Sequence, residues 1–189
     1  MDPLLLEPIR HCLKDKTAKV AIVSHTNPDG DAMGSSLALY AALKQAGFHS
    51  LNVLMPNEAP AFLHWLPYYA DMIPANRKPK QAKKAILEAQ TIFCLDFNGF
   101  GRTDSLESSL KESKALKIRV DHHPQPEEGF DFHYADEQVS STAELVFEML
   151  TGIWGESIID QQVASCLYTG FATDTGSFSF SCNRLRTWE

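Results

Sequence analysis

The chain has no stretch approaching the roughly 18 apolar residues that a membrane-spanning helix requires. Its opening, MDPLLLEPIRHCLKDK, lacks a basic start and carries one short apolar run, Leu4 to Leu6, so it does not read as a secretory leader. Cysteine is scarce. Cys12, Cys94, Cys166 and Cys182 lie far apart with no C-x-x-C pair, which excludes a zinc ribbon and a thioredoxin-type site. Cys94 and Cys166 fall in apolar runs and are expected to be buried thiols. A reducing cytoplasm, with no membrane contact, suits this usage. An excess of positive charge is also missing. Lys and Arg number 17 against 24 Asp and Glu, a net charge of -7, which argues against a broad basic field for coating nucleic acid. A small anionic substrate stays open, because a bound cation inverts the local field. Repeats and low-complexity segments are absent.

What is present is a chain of 189 residues, 44 % hydrophobic and 22 % charged, the profile of one ordinary globular domain. KVAIVSH (19–25) reads as a buried strand and DAMGSSLALYAALKQAG (31–47) as a helix stopped by Gly47. SLNVLM (50–55) is a second strand, and APAFLHWLP a short helix or turn. PKQAKKAILEA (79–89) is a helix feeding the strand TIFCLDF (91–97). SLESSLKESK (105–114) is a polar helix leading into the strand LKIRVDHH (116–123), and FDFHYAD is a shorter edge strand. STAELVFEMLTG (141–152) and SIIDQQVASCLYTGFATD (157–174) are helices. Strands written as apolar runs and alternating with helices imply an α/β fold, a mostly parallel sheet flanked by helices on both faces. One domain spans 1–189. The closing SCNRLRTWE stops where a new helix begins, so the chain reads as part of a longer protein.

The charged residues fall unevenly. SHTNPDGDAMGSS (24–36) places His25, Asp29 and Asp31 directly after the first strand. Asp96 closes the third long strand, Asp121, His122 and His123 close the next, and Asp174 ends the last helix. In open α/β sheets, ligands bind beyond the carboxyl ends of the strands. Each piece alone has an ordinary explanation: Asp31 as a helix cap, Asp96 as a loop carboxylate, the histidines as surface residues. Their gathering at one rim does not. Like charges in a tight loop repel unless a cation lies between them. Carboxylate and imidazole without thiolate suit Mn²⁺ or Mg²⁺, with Fe²⁺ or Co²⁺ as further choices. Six such ligands suit two ions about 3.5–4 Å apart, with Asp96, at mid-rim, as the bridge.

SHTNPDGDAMGSSLAL, CLDFNGFGR, VDHHPQ and LYTGFATDTGSF together resemble the four ordered motifs of the DHH phosphoesterase family. That family includes the RecJ nucleases, oligoribonuclease/pAp phosphatases, cyclic-di-AMP phosphodiesterases and family II pyrophosphatases. The resemblance implies a di-manganese site, one ion on His25, Asp29 and Asp96, the other on Asp31, Asp96, His122 and Asp174. It implies that His123 faces the substrate phosphate as donor or general acid, and that Asp121 orients the imidazoles. Gly30 and Gly34 would let the backbone approach the site, and Ser35 and Ser36 either hold phosphate oxygens or cap the helix. Arg102 is a phosphate clamp or a loop brace. Ser141 and Thr142 read as caps rather than catalytic groups, and His11, His49, His64 and His133 as structural or exposed. The resemblance further implies hydrolysis of short oligonucleotides, pAp or linear or cyclic dinucleotides, and a possible homodimer. Family II pyrophosphatases usually carry Thr-Asp-Ser where this chain has Gly30-Asp31-Ala32, which lowers that reading. A non-catalytic nucleotide sensor on the same metal site is a further alternative. The DHH-associated substrate domain, with its Gly-rich motif, is not expected within 1–189.

Overall fold

Six parallel strands form the centre of the computed structural model, which describes residues 3–180 and Cys182. They are β1 (Val20–Val23), β2 (Leu51–Met55), β3 (Ile73–Pro74), β4 (Thr91–Leu95), β5 (Leu116–Asp121) and β6 (Phe132–Ala135). The helices are α1 (Glu7–Cys12), α2 (Gly30–Gln45), α3 (Pro79–Glu88), α4 (Glu107–Glu112), α5 (Thr142–Trp154) and α6 (Gln161–Asp174). The helix expected in the last nine residues lies outside the described residues, Cys182 apart.

The strand order is β3-β2-β1-β4-β5-β6, so connections turn in opposite directions on either side of the β1–β4 pair. That pair, with Val20 opposite Thr91 and Ile22 opposite Phe93, is the switch point above which doubly wound sheets bind ligands. Successive side chains leave a strand on opposite faces, and the two cores follow that period. Val20, Ile22, Phe93, Leu95, Ile118 and Val120 pack toward α1, α2, α5 and α6. Ala21, Val23, Ile92 and Cys94 pack toward α3 and α4, meeting Ala82, Ile86 and Leu110. Both faces are covered, as an all-parallel sheet requires.

Helix α2 ends as its sequence suggests. Gly47 takes φ +93, and the N–H groups of Gly47 and Phe48 return to the carbonyls of Lys44 and Leu43, with Phe48 buried as the accompanying apolar lid. Several expected boundaries shift. The edge strand β3 is two residues long and ends in proline, which tolerates only an edge; so short a segment carries no periodic signal. The expected helix over 105–114 is a 3₁₀ segment, Phe100–Leu106, itself broken by a kink at Asp104 with φ 45°, followed directly by α4. Helix α6 starts at Gln161 because the Asp160 carboxylate caps the N–H groups of Gln162 and Val163, both at 2.9 Å. Cys94 and Cys166 are buried as expected. Among the described residues no helix is long and apolar enough to cross a membrane.

Candidate metal centre

The loop from β1 to α2 carries the first acidic and imidazole groups. Asp29, not Asp31, caps α2: its Oδ1 accepts the N–H groups of Asp31 and Ala32, both at 3.0 Å. Asn57, beyond β2, braces this loop from outside, accepting from Thr26 Oγ1 at 3.0 Å and from the Asn27 N–H at 2.7 Å. His25 is buried and donates Nδ1–H to the Thr26 carbonyl at 2.8 Å. Its Nε2 lone pair therefore faces two carboxylates, Asp96 at 3.4 Å and Asp29 at 4.0 Å.

Asp31 sits one residue into α2, fully enclosed. Its two oxygens accept the Thr142 and Ala143 N–H groups at 2.6 and 2.9 Å, the free donors at the start of α5. That helix is announced by Ser141-Thr-Ala-Glu144, a capping-box sequence. Ser141 Oγ accepts the Glu144 N–H at 3.2 Å, while the Glu144 carboxylate reaches Ser140. Asp96 follows β4 in a left-handed conformation, φ 64°, which few residues other than Gly, Asn and Asp tolerate. The turn swings its carboxylate over the sheet edge, while its N–H still bonds the Val120 carbonyl at 3.1 Å. Thr142 Oγ1 donates to Asp96 at 2.9 Å. Asp174 arrives last, at the end of α6.

Helix α6 comes that close because its contact with α2 is made of glycine. A Cβ on Gly34 would lie 2.5 Å from the Cys166 carbonyl, and one on Gly170 would lie 2.7 Å from Asp31 Oδ1. Gly30 likewise faces Thr173, at 2.3 Å from any Cβ. Gly34 thus admits the α6 backbone, and Gly30 the Thr173 side chain, rather than a ligand, a different use from the one expected. Ser35 is fully buried and bonds the Ala32 carbonyl of its own helix, so its hydroxyl is turned away from any surface a phosphate could reach. Ser36 is buried as well.

His122 stands at the meeting point. Its Nε2 lies 3.4 Å from Asp174 Oδ2, 3.7 Å from Asp96 Oδ1 and 4.0 Å from Asp31 Oδ2. These separations are too long for hydrogen bonds. They fall between the ~3.0 Å and ~4.2 Å that separate two ligands of one ion with bonds near 2.1 Å. Among the described residues, three groups of cation-binding type result: His25 with Asp29 and Asp96, Asp31 with His122 and Asp174, and Asp96 with His122 and His123. The charges themselves call for a cation. Burial, with Asp96 and Asp174 close by, pushes the Asp31 carboxyl well above its usual range against the pull of two N–H groups. Asp174 is pushed up to about 6 by burial and by Asp96 and Asp29, with His122 opposing. Asp96 is driven down: burial pulls upward, but His25, His122 and His123 outweigh it. For His25, burial pulls its pKa down, and Asp96, Thr26 and Asp29 raise it on balance. The donor set fits oxygen- and nitrogen-preferring divalent ions.

Asp121 is fully buried and reaches His123, accepting from Nδ1 at 2.7 Å. That bond raises the His123 pKa against burial and the nearby Arg102 charge. Arg102 is exposed. Its carbonyl accepts the Thr26 N–H at 2.8 Å, and its guanidinium has no partner among the described residues. His11, His49, His64 and His133 are exposed and outside the centre. Two contributors were not expected. Thr142 bonds Asp96 besides opening α5, and Arg119, buried in β5, holds Asp121. The alternation Lys117, Arg119, Asp121 on one face of an otherwise apolar strand is the sequence signal for the second.

The model of the DHH family, N-terminal domain, matches residues 19–171. The chain belongs to the DHH family. It is 31 % identical over 179 residues to a bifunctional oligoribonuclease and PAP phosphatase NrnA of Thermus thermophilus, covering 92 % of this chain and 48 % of that protein. It is 30 % identical over 165 residues to a probable manganese-dependent inorganic pyrophosphatase of Streptococcus mutans, covering 84 % of this chain and 48 % of the relative. Among solved structures, an exopolyphosphatase-related protein from Bacteroides fragilis superposes with a TM-score of 0.95 at 37 % identity, over 99 % of this chain and 54 % of its own. This DHH chain therefore spans about half the length of these proteins.

Proposed function

We propose that the protein is a phosphoesterase dependent on two divalent cations, Mn²⁺ before Mg²⁺, Fe²⁺ or Co²⁺, acting on short oligonucleotides, pAp or linear or cyclic dinucleotides. The observation that carries this reading is His122 Nε2 at 3.4–4.0 Å from carboxylates of three separate elements. In this reading His25, Asp29 and Asp96 hold one cation, and Asp31, Asp96, His122 and Asp174 the other, with Asp96 shared. When bound, such a pair supplies Lewis acidity at a phosphoryl oxygen and a water of lowered pKa. The chain's own groups do the rest. His123, its side chain 42 % exposed, turns Nε2 toward the substrate and, as the imidazolium that Asp121 favours, carries a proton there for the leaving oxygen. Asp121 holds that ring in place. Arg102 takes a phosphate of the substrate by its guanidinium fork. The reading places the enzyme in the cytoplasm, where its thiols stay reduced.

Similarity to the NrnA relative favours nucleotide substrates. Similarity to the pyrophosphatase favours a second reading, hydrolysis of pyrophosphate, against which stands Gly30-Asp31-Ala32. A panel of pAp, linear dinucleotides, longer single strands, cyclic dinucleotides and pyrophosphate, with Mn²⁺ and with chelator, separates them. Mn²⁺-dependent phosphate or mononucleotide release from a nucleotide substrate is expected. Binding without turnover makes the protein a sensor, and absence of Mn²⁺ uptake rejects the metal centre altogether.

A further inference from the structure

Strand β5 presents Lys117, Arg119 and Asp121 on one face, all buried. Lys117 turns to backbone, its Nζ donating to the Ser113 carbonyl at 2.7 Å. Arg119 turns instead toward the strand's carboxyl end. Its Nε donates to Asp121 Oδ2 at 3.0 Å, and its Nη2 donates both to that oxygen and to the His123 carbonyl. The other Asp121 oxygen is taken twice by His123, through the backbone N–H at 3.2 Å and the ring Nδ1 at 2.7 Å. Asp121 is thereby satisfied on both oxygens without any cation of the centre.

This pattern fixes a chemical state. Arginine carries donors only, so Asp121 Oδ2 is an acceptor to the guanidinium and Oδ1 is left to His123. An acceptor on that side requires the hydrogen of His123 to sit on Nδ1 and leaves Nε2 for the site. The same fork also grips the His123 carbonyl, so it spans the Asp-His-His turn from both ends. Neutralising Asp121 alone would not need that second contact.

We propose that Arg119 is a positioning residue of the centre, setting the tautomer and aim of His123 through Asp121 and the His123 carbonyl. The inference rests on the reading of His123 as the substrate-facing group. It assigns to β5 a part in the chemistry that neither Asp121 nor the two histidines reveal by themselves.

The test uses the whole protein as Arg119→Lys and Arg119→Met. Lysine retains the buried charge, but one ammonium cannot reproduce the planar fork. With Mn²⁺ and whichever nucleotide the wild type hydrolyses, kcat of Arg119→Lys is expected to fall about tenfold, within the range for losing an orienting partner. KM should move less than about twofold, and Mn²⁺ affinity should hold. A second readout needs no activity: long-range ¹H–¹⁵N spectra of the cation-free protein, with His123 assigned through His123→Gln. The wild type should show hydrogen on Nδ1, and Arg119→Met a mixture of tautomers. Should Arg119→Met fail to fold, Arg119→Lys decides through its kcat and its spectrum. Variants with wild-type kcat and an unchanged Nδ1–H pattern overturn the inference. A wild type inactive on every substrate sinks the phosphoesterase reading, and the spectra still decide the role of Arg119.

Discussion

His25 and Asp29 lie four residues apart in one loop, and among the described residues Asp96 joins them from elsewhere. Asp31, His122 and Asp174 come from three elements, and what gathers them is packing. In the first half the positions are set by short-range hydrogen bonds, the Asp29 cap on α2 and the His25 ring on the Thr26 carbonyl. In the second, Asp31 is pinned by the N–H donors at the buried start of α5, and Asp174 reaches the site because glycines let α6 lie against α2. A local half tolerates changes in distant packing. A gathered half does not, since a shift of a few tenths of an ångström in one helix moves a single group away from the others.

Asp96 lies 3.4 Å from His25 and 3.7 Å from His122, and on the proposed reading both halves share it, so Asp96→Asn should give the largest effect: activity lower by more than the ~100-fold that loss of an outer partner costs. Isothermal titration with Mn²⁺ should then show both sites weakened; loss of one site alone would show that Asp96 is not shared. Gly34→Ala sharpens the contrast. Its Cβ would lie 2.5 Å from the Cys166 carbonyl, so α2 and α6 must separate, at about 1–3 kcal/mol in denaturant unfolding. The Mn²⁺ site on the Asp174 side should weaken while the His25 side holds; equal weakening of both would erase the distinction drawn here. Thr142→Val removes the hydroxyl bonded to Asp96. It should cost ~1 kcal/mol of stability and about tenfold in kcat, whereas Ser141→Ala should cost ~1 kcal/mol in stability alone. The smallest stability change belongs to Asp29→Asn. Asparagine caps a helix as well as aspartate, so the melting temperature should hold while Mn²⁺ affinity at the His25 side falls. A matching drop in melting temperature would mean that the Asp29 charge serves the fold.

The fold was legible where periodicity was strong. The strands β1, β2, β4 and β5 and the helices α2, α3, α5 and α6 fall close to their expected places, because apolar runs and 3.6-residue stripes report burial directly. The edge strand β3 and the kinked segment around Asp104 were not, being too short or too irregular to show a period. The acid and imidazole groups were legible because each lies at or just beyond the end of a strand or at one end of a helix. The parts of Thr142 and Arg119 were not: a threonine beside a cap reads as a cap, and a charged residue inside a strand discloses its partner only when the turn beyond it is known.

By itself the sequence determined that alternating strands and helices make a parallel sheet, and which acidic and imidazole groups close its strands; burial and period are local properties. Only the tertiary structure decided which groups meet. The left-handed turn at Asp96, the α5 donors on Asp31 and the glycine contact that admits α6 all depend on residues far apart in the chain. Distance between such residues is set by how whole helices pack, and no short stretch of sequence records it.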